Sequence, residues 1–192
     1  MYLRVIPSII QSIYPQAIWN SKGRPHLKWT FDDGPHPHST PQLLDLLDTH
    51  GLNATFFCLG KNVKKYPQLF QEIIARGHSI GNHGYDHISG WRLSKAEFLD
   101  NVTKAAEVIE SDLYRPAYGR ITRGQYRDII VKLSMKVVFW NLMPGDFDRK
   151  VTEDNMSTFL ANNKVDNQLV VLHDHPDCLS KISSALSYIS SQ

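Results

Sequence analysis

Cysteine is scarce: Cys58 and Cys178 are the only two in 192 residues, and no CxxC pair exists. Two thiols cannot build the disulfide framework of a small secreted scaffold, and a zinc ribbon resting on paired cysteines is excluded as well. Cys58 ends an apolar run, where a thiol behaves as a small buried hydrophobe. A surplus of one charge is also missing, since 21 Lys and Arg stand against 19 Asp and Glu for a net charge of +2. The densest basic cluster, Lys61, Lys64 and Lys65, reads as a solvated face, so no nucleic-acid partner is expected. Nor is there a long hydrophobic run. The opening MYLRVIPSIIQSIYPQAIWN is interrupted by Arg4, two prolines and polar residues. Its apolar stretches are too short for a transmembrane segment, and it shows neither the unbroken core nor the cleavage site of a secretory signal. The expectation is a cytoplasmic protein, with a secreted or envelope-associated one left open. Sequons at Asn53, Asn101 and Asn155 carry no weight without a secretory route. Nothing in the pattern speaks to oligomeric state.

What is present is an ordinary globular composition, 42% hydrophobic and 21% charged, in a length that suits one domain. Short β-rich runs alternate with helical patterns, which argues for βαβ units in a mostly parallel α/β sheet or barrel. The strand candidates are 27–31, 54–59, 78–81, 137–141 and 168–172, with a short strand leading into Arg115. Tyr66, Leu69, Phe70, Ile73 and Ile74 form the stripe of a helix ended by Gly77. Ser94 and Glu97 make a capping box ahead of Phe98, Leu99, Val102, Ala106 and Ile109. A last helix carries Ile182, Ala185, Leu186 and Ile189. No internal repeat, low-complexity tract or long linker occurs.

In parallel α/β architectures the loops leaving the carboxyl ends of strands build the active site. Here those loops carry Asp32-Asp33-Gly34-Pro35, Asn82-His83-Gly84-Tyr85-Asp86-His87 and His173-Asp174-His175. Adjacent aspartates on an extended chain point apart, so Asp32 and Asp33 are expected to take different tasks. Alone, they would equally make an acidic turn. His83 and His87, four residues apart, are expected on one face of a helical turn and within reach of one ion. Two histidines and one carboxylate leave positions open, as a catalytic metal requires, but non-haem iron uses the same set, so neither metal nor reaction follows from it. His173 closes an apolar run and by itself reads as a satisfied buried imidazole. Arg115 could pin a carboxylate or form a routine salt bridge. Trp140 and Phe147 could wall a sugar site, but aromatics near a strand end are usually core.

Taken in order, Thr30-Phe31-Asp32-Asp33-Gly34-Pro35, then His83 to His87, then Arg115-Pro116-Ala117-Tyr118-Gly119, then Asp146-Phe147, then Val171-Leu172-His173 resemble the five motifs of the polysaccharide deacetylase family, the NodB homology domain of carbohydrate esterase family 4. The resemblance runs from about residue 26 to the C-terminus, which divides the chain into an N-terminal extension, 1–25, packed on the barrel and a catalytic domain, 26–192. It implies a distorted (β/α) barrel with fewer than eight strands. It implies hydrolysis of the acetamide of an N-acetylated sugar, in an oligo- or polysaccharide of the chitooligosaccharide or peptidoglycan kind, with release of acetate. Asp33, His83 and His87 match the metal ligands, for zinc, with cobalt or nickel sometimes taken instead. Asp32 matches the general base and His173 the general acid. Arg115 matches the residue that orients Asp32, and Asp146 the partner that keeps His173 charged. The backbone N–H of Tyr118 matches the oxyanion donor, while Phe147 and Val171 match residues lining the acyl pocket. Five positions depart from the pattern. Gly84 replaces a Ser or Thr, so a hydrogen bond steadying the histidine loop is missing or replaced. Ala117 replaces a Pro, Met143 an Asp, Phe147 a Trp and Val171 a Leu, the last leaving more room beside the acyl group. Two other readings stand beside the deacetylase: a carbohydrate-binding homologue without turnover, and a metal-dependent amidase acting on a small non-sugar amide.

Overall fold

The computed structural model describes residues 2–163 and 167–190, with side chains described as far as residue 187 in the last helix. Six strands form one sheet: β1 (Trp29–Asp32), β2 (Thr55–Cys58), β3 (Ser79–Asn82), β4 (Leu113–Tyr114), β5 (Lys136–Val137) and β6 (Val170–His173). Their order is β5-β4-β3-β2-β1-β6, every pairing is parallel, and the sheet curls as a distorted barrel with fewer than eight strands, as expected. The helices are α1 (Ser8–Gln11), α2 (Ser39–Thr49), α3 (Gly60–Lys65), α4 (Pro67–Ala75), α5 (Lys95–Ala106), α6 (Arg123–Lys132), α7 (Glu153–Asn162) and α8 (Leu179–Ser190).

The strands are apolar on both faces because both faces are covered. Phe31, Phe56, Val170 and Leu172 pack with Leu43, Leu44 and Leu47 of α2 and with Ile182 and Leu186 of α8. Phe57 and Val171, one residue out of phase, pack with Val102, Val137 and Phe139 instead, the two-residue alternation of a pleated strand. Of the expected α8 stripe, Ile182, Ala185 and Leu186 are buried, and the side chain of Ile189 lies outside the described residues.

Register fixes the level at which the strands end. Asp32 pairs with His173 and with Phe57, Cys58 pairs with Asn82, and Asn82 with Tyr114. The residues at or just past these ends, Asp32, His83, Arg115 and His173, therefore emerge on one rim. The first strand starts later than expected, at Trp29, because Leu27 closes a 3-10 turn (Pro25–Leu27). It runs on to Asp32 because the ladders to β2 and β6 extend that far.

The expected strand 137–141 is broken up. After β5 the chain crosses from the β4 edge towards β6, so each residue pairs only briefly. Phe139 N–H donates to Ile18 O at 2.9 Å, Asn141 N–H to Leu169 O at 3.2 Å and Val171 N–H to Leu142 O at 3.0 Å. The N-terminal segment lines this crossing, with a parallel bridge at Ile18–Val138 and an antiparallel one at Val5–Leu142.

The 66–74 stripe belongs to α4, which starts one residue later at Pro67, where a missing N–H costs nothing. Its end is a Schellman motif: Gly77 N–H donates to Ile74 O and His78 N–H to Ile73 O, with Gly77 at φ 81°. The Ser94–Glu97 capping box is present. Beyond it Ala105, and not Ala106, is the fully buried alanine, and Ile109 is buried past the helix end. Helices α2, α3, α6 and α7 were not anticipated.

Candidate active site

Asp32 is buried, and its Oδ1 accepts from Arg115 Nη1 at 2.7 Å. Arg115 is itself wholly buried. Its Nη1 also reaches Thr30 Oγ1 at 2.7 Å, its Nη2 donates to Phe139 O at 2.9 Å, and its guanidinium lies 4.0 Å over the Phe57 ring. Four residues on three segments, β1, β2 and the crossing after β5, thus hold one planar fork in place. Burial alone would raise the Asp32 pKa, but the charges of Arg115, His83 and His173 outweigh it and hold the carboxyl below its ordinary value.

Asp33 sits at φ 79°, in the left-handed region that few non-glycine residues adopt. That turn changes the expected divergence of the two aspartates. The chain leaves the extended strand at Asp33, and both carboxylates line the same cavity, of about 420 Å³, while keeping separate partners. Asn62 Nδ2 secures the turn by donating to Asp33 O at 2.7 Å. Gly34 follows because a Cβ there would collide with the Asp174 carboxylate. Asp174 accepts from Ser39 Oγ at 2.6 Å and Thr40 Oγ1 at 2.5 Å, and burial pushes its pKa up to about 6.

His83 and His87 come together, their rings 5.2 Å apart, but on an irregular loop and not on the helical turn expected. The backbone there is taken by Asn101: Tyr85 N–H donates to Asn101 O at 3.0 Å, Asp86 N–H to Asn101 Oδ1 at 2.8 Å, and Asn101 Nδ2 to Asp86 O at 3.1 Å. Gly84 lies at φ 84°, its N–H donates to Asn82 Oδ1 at 2.7 Å, and a Cβ on it would meet Asn101 Nδ2 at 2.8 Å. The steadying contact that a hydroxyl at this position would make is replaced by these two asparagines.

His83 Nδ1 is 2.8 Å from Arg115 O. A carbonyl only accepts, so Nδ1 carries a proton, and in the neutral ring Nε2 presents a lone pair. That lone pair faces Asp33 Oδ1 at 3.6 Å, and His87 Nε2 faces the same oxygen at 3.4 Å. Burial, and then His83, lowers the His87 pKa and favours its neutral ring. Asp33 Oδ1 is buried without a hydrogen-bond partner among the described residues. Ligand atoms of Asp33, His83 and His87 all lie within 4.8 Å of one another. An orphaned carboxylate oxygen faced by two imidazole nitrogens is a donor set that fits a divalent cation.

Across the rim, His173 N–H donates to Asp146 Oδ2 at 2.7 Å, and its Nδ1 lies 3.1 Å from Asp146 Oδ1. Burial would lower the His173 pKa, but Asp146, with smaller contributions from Asp32 and Asp33, raises it to about 9. The Asp146 loop is anchored by Lys181 Nζ, which donates to Asp146 O and Asp148 O at 2.9 and 2.8 Å. Phe147 is 45% exposed, its ring edge-on to His173 at 5.0 Å. Tyr118 is held at φ 60° and rests on the His87 ring at 4.4 Å. Val171, Trp140 and Met143 complete the apolar side of the cavity.

Of the residues singled out for the site, Asp32, Asp33, His83, His87, Tyr118, Phe147, Val171 and His173 line the cavity, while Arg115 and Asp146 lie buried behind Asp32 and His173. Missed were Thr30, Asn101, the Asp174–Ser39–Thr40 cluster and Tyr2, which lines the cavity from the N-terminal segment. Asn101 had a signal, since an amide side chain inside a helical pattern competes for backbone partners. Tyr2 had none.

Fold and site together define a class: a parallel barrel of six strands with an open Asp-His-His cluster between a buried carboxylate and a paired histidine. The chain belongs to the polysaccharide deacetylase family, whose model matches residues 20–138, more than half of it. It is 29% identical over 169 residues to a peptidoglycan-N-acetylglucosamine deacetylase of Bacillus cereus, covering 85% of this chain and 61% of that protein. With a chitooligosaccharide deacetylase of a Bradyrhizobium species it shares 34% identity over 151 residues, 76% of this chain and 68% of the other. Among solved structures, a peptidoglycan N-acetylglucosamine deacetylase superposes with TM-score 0.84 at 28% identity, covering 96% of this chain and 88% of that one.

Proposed function

We infer that the protein is a divalent-metal-dependent deacetylase acting on N-acetylated sugars in an oligo- or polysaccharide. One observation carries the reading: the β1–β6 register places Asp32 beside His173, with the Asp33–His83–His87 cluster in the same cavity. Those three residues would hold the ion, zinc by preference, with cobalt or nickel as substitutes. A bound cation supplies charge that polarises an acyl oxygen and makes water more acidic.

The protein's own groups provide the rest. Asp32, ionised and fixed by Arg115, accepts a proton from the attacking water. As the C–O bond forms, the Tyr118 N–H offers a donor to the developing oxyanion. His173, protonated at neutral pH, gives its proton to the nitrogen as the C–N bond breaks, so the products are acetate and a free amine. An amide needs that proton because an amide anion is a poor leaving group. Asp146 keeps His173 in the donating state. Peptidoglycan and chitooligosaccharide fragments are the substrate classes supported by the named activities of the relatives.

The test is acetate release from N-acetylglucosamine oligomers, peptidoglycan fragments and small acetamides by the zinc-loaded protein, beside Asp32→Asn and His83→Ala. Release that survives both substitutions sinks the mechanism. Sugar binding without release supports a binding protein, and release only from small acetamides supports an amidase.

A further inference from the structure

The family match begins at residue 20, yet the segment before it reaches the cavity. Arg4 O accepts from Met143 N–H at 2.8 Å, Ile6 N–H donates to Asn141 O at 3.1 Å, and Arg4 Nη2 donates to Pro144 O at 2.8 Å. The Arg4 guanidinium also lies 3.6 Å over the Phe159 ring. So fixed, the strap delivers Tyr2 to the cavity wall. Tyr2 Oη donates to Asp148 Oδ2 at 3.2 Å, and its ring meets Phe147 at 4.9 Å. Gly145, at φ 89°, leaves the space that the phenol fills, because a Cβ there would fall on Tyr2 Oη.

Phe147 is edge-on to His173, and in the reaction inferred above His173 delivers a proton to the leaving amine. The ring that carries this amine must therefore lie against the Phe147–Tyr2 side of the cavity. A pyranose presents C–H groups on its faces, and an aromatic pair with a polar hydroxyl at its edge complements them. We propose that Tyr2 is a specificity-determining residue whose ring, with Phe147, forms the face against which the amine-bearing sugar stacks. This rests on the sugar-amide reading.

The experiment uses the full chain, zinc-loaded, in three forms: Asp32→Asn alone, and the same protein with Tyr2→Ala or Tyr2→Phe. Affinity for tetra-N-acetylchitotetraose is measured by calorimetry. In the Asp32-containing proteins, KM, kcat, the alkaline limb of the pH profile and Tm are followed. The expected result is affinity weakened roughly tenfold by Tyr2→Ala and largely restored by Tyr2→Phe, with KM rising and kcat and the alkaline limb unmoved. Equal affinity in all three proteins overturns the inference, whether or not the wild type releases acetate. A fall in kcat with a displaced alkaline limb and lower Tm, at unchanged KM, also overturns it and makes Tyr2 a brace for the Asp146 loop. A parent that neither binds the tetramer nor releases acetate overturns the sugar reading along with the inference.

Discussion

Two carboxylate–cation pairs face each other across the β1–β6 ladder, built in opposite senses. In Asp32–Arg115 the cation is the fixed member, saturated by Thr30 and Phe139, and the carboxylate looks into the cavity. In Asp146–His173 the carboxylate is fixed and wholly buried, and the imidazole looks in. The first pair holds its cavity-facing carboxyl below its ordinary pKa, and the second raises that of its cavity-facing imidazole to about 9. Between those limits the cavity holds a deprotonated carboxylate and a protonated imidazole, the two states that the proposed amide hydrolysis would need at once. Opposite environments, and not different residue chemistry alone, assign the two tasks.

Changing either member of the Asp32–Arg115 pair should break the comparison most. Asp32→Asn is expected to lower kcat by about 10³-fold, within the range for general acid–base groups, while zinc binding measured by metal analysis persists. Arg115→Met leaves the Asp32 charge buried without its partner, a cost of roughly 3–5 kcal/mol, to be read from urea unfolding at pH 7. The folded pKa of Asp32 is lowered, so the gap between wild type and this variant should narrow as pH falls below the ordinary carboxylate range and through that lowered value.

Asp146→Asn tests the other pair. Without that charge the His173 pKa falls towards its ordinary value near 6.5, so the alkaline limb of kcat moves to lower pH, and at pH 8 activity drops about tenfold. Stability should follow the same group. The folded pKa is raised, so the pair's contribution is fully present below about pH 6.5 and is lost as pH rises through about 9. Urea midpoints at pH 6 and pH 10 in wild type and Asp146→Asn check the sign. An unchanged limb would mean that Asp146 only positions the ring.

The smallest effect is expected at Asn101→Ala, which frees the loop carrying His83 and His87. Zinc affinity should fall about tenfold, as for other groups that support metal ligands, with the base and acid limbs of the pH profile unchanged.

Much of the rim was readable because its signals are local: a strand run followed at once by Asp32-Asp33, by His83 or by His173. The ordered motifs added expected roles for Arg115, which by itself could pin a carboxylate or form a routine salt bridge, and for Asp146, to which the residues alone gave no reading. Hidden parts depend on distant partners. The 138–142 crossing looks like a strand because it is apolar, but its hydrogen bonds are shared between Ile18 and β6. Helix α2 was obscured by Pro41 in its first turn, a position where proline is tolerated. Helix α6 did carry a signal, the Thr122–Gln125 capping box, that went unused. The left-handed turn at Asp33 could not be foreseen, and with it the convergence of two aspartates that an extended chain would have sent apart.

The cross-strand partnership of Asp32 with His173 has a consequence for how such a protein can change. The Cα positions of the proposed proton acceptor and donor are set by one rung of backbone pairing, and side chains around the mouth leave that rung in place. The strap before residue 20 has no part in it. Substrate range could therefore drift by rebuilding the mouth, while the backbone spacing beneath the two residues is inherited unchanged.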